Sequence, residues 1–289
     1  MASIQFERFW NLLHESEIND ANLDMKEMRL AKYTLLAIWS NMTGGRHLLG
    51  EYRNLAIYSR RQGWAKFHLV LNPKEALTSC RWGIGEQDII DALYFANEFK
   101  YVLTFATYKS GATFPNRVHF QSIPSTIEGN DFGKPKEFTP FQALFEAEGR
   151  IVLKKDDYTV QLIMPPNYPI LCARIEGKLE EVALKVSCLS TGYDSLRSMN
   201  LIIEPLHERE QARLHFFPRR FDGKLFSHLY YGLPIGPFEM GGVFALRGQK
   251  RKPIYDRLEP GQLIQALEDV AVVVGSPEET CLLNLIKLL

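Results

Sequence analysis

An amphipathic helix set among β-strands occurs twice in this chain of 289 residues, and this recurrence limits the fold more than any other feature. The first helix is predicted over residues 86–99, with an apolar stripe at helical spacing, and the second over residues 179–189. Strands are predicted on both sides of each helix. Strand pairs interrupted by one helix favour a mostly antiparallel sheet with helices on one face. The sequence therefore predicts an α+β fold with two halves of similar architecture.

The boundary between the halves is predicted at residues 135/136, giving domains 1–135 and 136–289. Residues 125–140 are rich in turn formers, which favours a linker there. Apolar spacing also predicts two N-terminal helices, over 3–16 and 24–40, and two C-terminal helices, over 260–274 and 278–289.

The charge balance argues against a nucleic-acid or membrane-surface protein and leaves a small polyanionic ligand possible. Lys and Arg total 34, Asp and Glu also total 34, and the net charge is zero. Nucleic-acid and membrane-surface proteins usually carry a basic excess. No secretory signal or apolar stretch of spanning length is visible, so a cytoplasmic protein without nucleic-acid or membrane partners is expected. The oligomeric state cannot be read from the sequence.

Residues 110–124 are the most informative stretch for chemistry. They begin as a loop rich in Gly, Ser, Pro and Asn and end as an alternating strand. Side chains two apart on a strand share a face, so Arg117, His119 and Gln121 are expected to converge on one surface. A neutral imidazole can attack phosphorus and form a phosphoramidate that a second substrate resolves.

The neighbours of His119 suit such a reaction. Gln121 can donate an amide N–H to a phosphate oxygen, and Arg117 can bind oxygens in a bidentate manner. Gly111 and the residues around it permit backbone to approach the phosphates closely. The alternative is a structural strand histidine, and spacing alone favours that alternative.

Further substrate-binding candidates lie in both halves. In the loop, Ser110 and Lys109 are placed to cradle the ligand, and Asn116 fixes the loop or contacts the ligand. Arg219 and Arg220 either reach the phosphates from the second half or form a solvated strand end. The sequence leaves both alternatives open for this pair.

A family resemblance adds weight to these residues. The segment Gly111-Ala-Thr-Phe-Pro-Asn-Arg-Val-His-Phe-Gln121 resembles the active-site segment of the histidine-triad-like superfamily. The similar branch contains GDP-hexose phosphorylases, diadenosine tetraphosphate phosphorylases and galactose-1-phosphate uridylyltransferase. The resemblance extends from about residue 50 to the C-terminus and includes the segment Phe216-Phe-Pro-Arg-Arg220.

The resemblance implies a duplicated histidine-triad-like module and a nucleotidyltransferase or phosphorylase. It implies His119 as the nucleophile and Gln121 as the second catalytic residue. The substrate would be a nucleotide, a nucleoside-diphosphate sugar or a dinucleotide, with inorganic phosphate or a sugar phosphate as the other reactant. No cofactor is expected. Some relatives bind zinc, but none of the four cysteines forms a C-x-x-C pair, so no metal is expected.

One position departs from the motif. Arg117 stands where the resemblance calls for the first motif histidine, a residue that helps orient the nucleophile. Two alternatives to the transferase stay open, and Arg117 motivates the second of them. One is a hydrolase that uses water to resolve the same intermediate, and the other is a nucleotide-binding regulatory protein with weak catalysis.

Overall fold

The protein is described by a computed structural model for residues 23–30, 33–40, 46–60, 67–74, 84–107, 110, 118–131, 134–192, 198–220, 227 and 231–289. In chain order, the strands of these residues are β1 Leu23–Leu30, β2 Tyr33–Ser40, β3 Arg46–Tyr52, β4 Leu55–Arg60, β5 Leu69–Pro73, β6 Tyr101–Ala106, β7 Phe120–Pro124, β8 Ile127–Asp131, β9 Lys134–Phe138, β10 Arg150–Lys154, β11 Tyr158–Ile163, β12 Cys172–Lys178, β13 Met199–Glu204, β14 Gln211–Pro218 and β15 Val243–Arg247.

The α-helices of the described residues are α1 Glu86–Phe99, α2 Gln142–Phe145, α3 Leu179–Gly192, α4 Pro237–Met240, α5 Lys252–Arg257, α6 Pro260–Val270 and α7 Pro277–Lys287. A 3₁₀ turn at Gln249–Arg251 precedes α5. The predicted helix over 86–99 is confirmed as α1. It carries acidic residues in its first turn, where they interact favourably with the helix dipole. It ends at Lys100, which has the left-handed conformation.

In the part of the chain that the structure describes, ten antiparallel strands form the larger of two sheets, in the order β10-β11-β12-β14-β13-β6-β7-β5-β4-β3. Read outward from its centre, the first half runs β6-β7-β5-β4-β3 and the second half runs β13-β14-β12-β11-β10. Helix α1 lies in sequence between β5 and β6, and helix α3 lies between the matching strands β12 and β13. The two halves thus repeat one module and meet where β6 pairs with β13. The α+β fold with two similar halves is confirmed.

The register defines which residues of the two halves correspond. One row of paired residues crosses the sheet in the order Val70, Gln121, Thr104, Ile202, His215, Arg174. A local two-fold axis through the Thr104–Ile202 pair relates Gln121 to His215. The same axis relates Pro124 to Pro218, and each proline ends its strand opposite the first residue of the neighbouring strand.

Three layers build the molecule. Helices α1 and α3 pack on one face of the large sheet, in a core that includes Phe105, Phe120 and Phe216. The opposite face packs against the smaller sheet, ordered β15-β2-β1-β8-β9, and against α4 and α6. Burial of each large apolar side chain contributes about 1.5–3 kcal/mol, so both faces of the large sheet are held strongly.

Two sequence predictions are wrong in this part of the chain. Residues 24–30 and 33–40 form the antiparallel strands of the hairpin β1–β2, not a helix, because β2 is buried between β1 and β15 in the small sheet. Residues 125–140 are not a plain linker, since they contain the hairpin β8–β9, which extends the small sheet next to β1.

The helices predicted over 179–189, 260–274 and 278–289 are confirmed as α3, α6 and α7, with α6 ending at Val270. The helix expected over 3–16 lies outside the described residues. The domain boundary at 135/136 also stays a prediction. Among the described helices, none combines the length and hydropathy that a membrane span requires.

Candidate active site

His119 and Gln121 lie on one face of the chain at the start of β7, as their alternation predicts. Val118 and Phe120 point into the core beneath α1 and α3. His119 and Gln121 lie on the other face, with only 6% and 4% of their surfaces exposed. Ile123, two residues further along this face, belongs to the core against the small sheet. The imidazole and the amide therefore lie between the layers, where water is limited.

Strand β6 holds Gln121 from one side. Thr104 is paired with Gln121, and its Oγ1 donates a hydrogen bond of 3.3 Å to the carbonyl oxygen of Gln121. On the other side, β5 places Val70 opposite the same residue. The backbone of the candidate site is thus fixed on both sides by the ladder of the large sheet.

The corresponding position in the second half contains an ion-pair cluster. Arg213 corresponds to His119, and its guanidinium binds Glu176 through two hydrogen bonds of 3.0 and 2.8 Å. Its Nη1 donates to Glu204 at 2.7 Å. The hydrogen bond from Arg213 lowers the pKa of Glu176. Three charged groups therefore satisfy one another at this position.

His215, the counterpart of Gln121, adds to this cluster. It is fully buried, its Nε2 lies 3.0 Å from Glu204, and its ring stacks on Phe145. Burial lowers the pKa of His215 to about 4, against the opposing effect of Glu204. At neutral pH the ring is therefore uncharged and donates from Nε2 to the carboxylate.

The first half lacks these charges at the matching positions. Glu204 and Glu176 flank Arg213 in the paired strands. Extending the registers of β5, β6 and β7 by one or two residues places His119 between Asn72 and Ala106. A half-buried amide and a methyl group thus replace two carboxylates. At the two cross-strand positions the first half therefore has neutral residues beside its histidine, whereas the second half has carboxylates that pair with Arg213.

Of the other predicted site residues, the structure describes Ser110, Arg219 and Arg220. Ser110 is fully buried, and its hydroxyl donates to the carbonyl oxygen of Met199 at 2.5 Å. Arg219 is 1% exposed and donates from Nη1 to the carbonyl oxygen of Ile235 at 2.9 Å. Arg220 is half-buried. Lys109, Asn116 and Arg117 lie outside the described residues, and the roles of all six in substrate binding stay predictions.

Glu239 is a buried carboxyl that the sequence alone does not identify. It lies in α4, is 8% exposed and accepts a hydrogen bond of 2.9 Å from the amide of Gly236. Burial raises the pKa of Glu239 to about 7, although backbone amides and the charge of Arg219 act in the opposite direction. In the sequence, the glycines around Glu239 suggest only a tight turn.

Asn200 is a second residue that the sequence does not reveal. Its side chain is fully buried and contacts both Ser110 and Arg219. Its position at the start of an apolar strand does not predict a functional role, and its contacts are seen only once the strands of the two halves are paired. The described residues include no cluster of His, Cys, Asp or Glu suited to a metal ion.

Comparison with solved structures relates this architecture to a known one. A crystal structure of yeast Ap4A phosphorylase Apa2 superposes with a TM-score of 0.65 at 10% sequence identity, covering 96% of this chain and 98% of the yeast chain. The same enzyme in complex with Ap4A gives a TM-score of 0.63 at 11% identity, covering 94% and 98% of the two chains.

The chain has the fold of Ap4A phosphorylase. The fold that the resemblance of residues 111–121 implies is therefore confirmed. The complex of the yeast enzyme with AMP also matches, with a TM-score of 0.60 at 11% identity over 96% of this chain and 99% of the other. No protein-family model and no curated protein matches the sequence.

Proposed function

We propose that this protein transfers a nucleotidyl group from a dinucleoside polyphosphate or a nucleoside-diphosphate sugar to a phosphate acceptor, through a covalent intermediate on His119. The observation that carries the proposal is the contrast between the two halves of the large sheet. One half has an imidazole and an amide two residues apart, with neutral residues at the cross-strand positions of the histidine. At the same two positions the other half has Arg213, which is ion-paired to Glu176 and Glu204, and the buried His215.

The reaction has two displacement steps at one phosphorus atom. In the first, a ring nitrogen of His119 forms a bond to the α-phosphorus, and the bond from phosphorus to the bridging oxygen breaks. A nucleoside polyphosphate or a sugar phosphate leaves with both electrons of that bond. In the second step, an oxygen of inorganic phosphate attacks the same phosphorus, the P–N bond breaks, and a nucleoside diphosphate is released.

Gln121 is assigned the role of donating a hydrogen bond to the non-bridging oxygens of the phosphate, where negative charge develops in the transition state. Arg117 and Lys109 are assigned the role of neutralising phosphate charge. Asn116 and Ser110 are assigned the role of shaping the loop around the phosphates. Arg220 is assigned a contact from the second half. The likeness to an enzyme whose structures contain AMP and Ap4A supports a nucleotide as the ligand.

Intact-mass spectrometry tests the proposal directly. The protein is incubated with Ap4A, a GDP-hexose or a UDP-hexose, with and without inorganic phosphate. A mass increase of one nucleotidyl group is expected without phosphate, and its loss with release of a nucleoside diphosphate when phosphate is added. His119→Ala should abolish the adduct, and the exposed His207→Ala serves as the matched control.

The outcomes separate the alternatives. Release of nucleoside monophosphate in water, at a rate independent of phosphate, would identify a hydrolase. Tight nucleotide binding without adduct or turnover would identify the nucleotide-binding protein that Arg117 suggests. An adduct that survives in His119→Ala would reject His119 as the nucleophile.

A further inference from the structure

Thr107 and Ser110, which precede the loop to His119, are hydrogen-bonded to strand β13 of the second half. The amide of Thr107 donates to the carbonyl oxygen of Met199 at 3.2 Å, and the amide of Met199 donates to Thr107 Oγ1 at 2.8 Å. The Ser110 hydroxyl donates to the same Met199 oxygen. All these groups are buried, so both residues have a defined position on β13.

Asn200 extends this attachment to the backbone of Ser110. Its Nδ2 donates to the carbonyl oxygen of Ser110 at 2.8 Å, and its Oδ1 accepts from Arg219 Nη1 at 3.4 Å. The amide therefore has one fixed orientation, with its donor towards the loop and its acceptor towards the guanidinium. Arg219 is itself held by the carbonyl oxygen of Ile235 and by its own amide, which donates to Ser198.

This contact departs from the duplication of the fold. The local two-fold axis relates Asn200 to Val102, an apolar residue in the core beside the small sheet. The first half has the same module with a valine at that position, so the module can fold without an amide there. The connection that Asn200 contacts, residues 107–119 between β6 and β7, is also longer than its counterpart, residues 205–210 between β13 and β14. A specific polar contact thus coincides with the longer of the two corresponding connections.

We infer that Asn200, oriented by Arg219, is a positioning residue of the second half that fixes the start of the active-site loop relative to His119. The inference rests on the proposed function. Efficient displacement requires the reacting atoms to be held about 3–3.5 Å apart in line, and a shift of about 1 Å costs on the order of 100-fold in rate. Asn200 is fully buried and hydrogen-bonds through its side chain to two protein groups, so we expect it to act on the rate of transfer more than on substrate affinity.

Arg219 has the same role in this inference, not the direct phosphate contact considered from the sequence. Arg219 is only 1% exposed, and its Nη1 donates to two acceptors within the protein. A direct ligand would change the half-saturating substrate concentration when it is replaced. A positioning residue would change the rate constant at saturation.

Asn200→Asp tests the inference because the aspartate keeps the size of the side chain and an oxygen for Arg219 but loses the donor to Ser110. Asn97→Asp is the matched control. Asn97 is also a buried asparagine that joins two segments, with Nδ2 2.8 Å from the carbonyl oxygen of Gln211 and Oδ1 2.8 Å from the amide of Leu206. Its contacts hold the connection between β13 and β14 and leave the active-site loop untouched.

Single-turnover formation of the His119 adduct is measured over a range of substrate concentrations, with thermal unfolding of each variant. Asn200→Asp should lower the rate constant at saturation by about 10–100-fold with less than a threefold change in half-saturation. Asn97→Asp should unfold at a similarly reduced temperature and keep the wild-type rate constant.

Each outcome decides one question. Equal rate constants for Asn200→Asp and wild type would overturn the inference, as would equal slowing in Asn200→Asp and Asn97→Asp, since that would indicate a general loss of stability. A large rise in half-saturation alone would identify a ligand contact instead. A wild-type protein that forms no adduct with any substrate would reject the proposed function, and the inference with it.

Discussion

At the scale of single residues, Glu239 and His215 are two buried titratable groups whose pKa values move towards each other's usual range. Burial raises the pKa of Glu239 to about 7 and lowers that of His215 to about 4. Both shifts favour the neutral form of the side chain, as expected where charge is desolvated. Their effects on the free energy of unfolding have opposite signs.

The pH dependence of Glu239→Gln follows from those signs. Between about pH 4.5 and 7 the native state binds more protons than the unfolded state at Glu239, so this group makes stability fall as the pH rises. At His215 the unfolded state binds more protons between about pH 4 and 6.5, so this group makes stability rise with pH. In the wild type the two effects largely cancel.

Glu239→Gln removes the first effect and keeps an acceptor for the amide of Gly236. Relative to the wild type, the variant should gain about 3 kcal/mol in the free energy of unfolding between pH 4.5 and 7, from roughly 2.5 pH units at about 1.4 kcal/mol each. Urea unfolding at several pH values measures this difference. Parallel curves for the two proteins would show that Glu239 titrates normally.

At the scale of elements, α4 lies against the centre of the large sheet, and Gly241 at its end allows this approach. A Cβ at position 241 would overlap the ring of Phe141 and lie 2.5 Å from Cδ1 of Ile202. Ile202 is half of the central Thr104–Ile202 pair. The distance between the layers at the middle of the molecule is therefore set by a residue without a side chain.

Gly241→Ala should destabilise the protein by about 1–3 kcal/mol, because neither neighbour can move without disturbing the core. Gly261→Ala is the matched control. Gly261 lies in the first turn of α6 with open space around its Cα, and alanine there should be neutral or add up to about 1 kcal/mol. Thermal unfolding compares the two variants; a Gly241→Ala protein as stable as Gly261→Ala would mean that the layers separate easily.

The elements also show what the sequence could and could not predict. Helix α1 was predicted because its apolar stripe at helical spacing is encoded locally. The hairpin β1–β2 was not, since the apolar run in β2 fits a helix or a buried strand equally well and its partner β15 lies about two hundred residues away. The shared face of His119 and Gln121 follows from strand alternation alone. Asn200 does not, because its contacts depend on how two distant strands align.

At the scale of the whole molecule, the two halves share one sheet and are covered by common layers. Helices α1 and α3 belong to a single core, and residues of both halves contribute to the core beside the small sheet. Separation of the halves would break the β6–β13 ladder and expose both cores. The halves are therefore expected to unfold together.

Chemical denaturation tests this expectation with Phe120→Ala in the first half and Leu214→Ala in the second. Both side chains are fully buried, and each truncation should cost about 2–5 kcal/mol. Each should shift one common transition, seen equally by circular dichroism and tryptophan fluorescence. Two separated transitions, with each variant moving only one of them, would contradict a single cooperative unit.

The pairing of early strands with late ones has a consequence during synthesis. Strand β6 is complete about 98 residues before β13, and β2 about two hundred residues before β15. At about 5–20 residues per second, ribosomes leave β6 without its partner for about 5–20 s, and β2 for roughly twice as long. Such strand edges can pair with other nascent chains in the meantime. The yield of native protein should therefore depend on translation speed and on chaperones that shield these two strands.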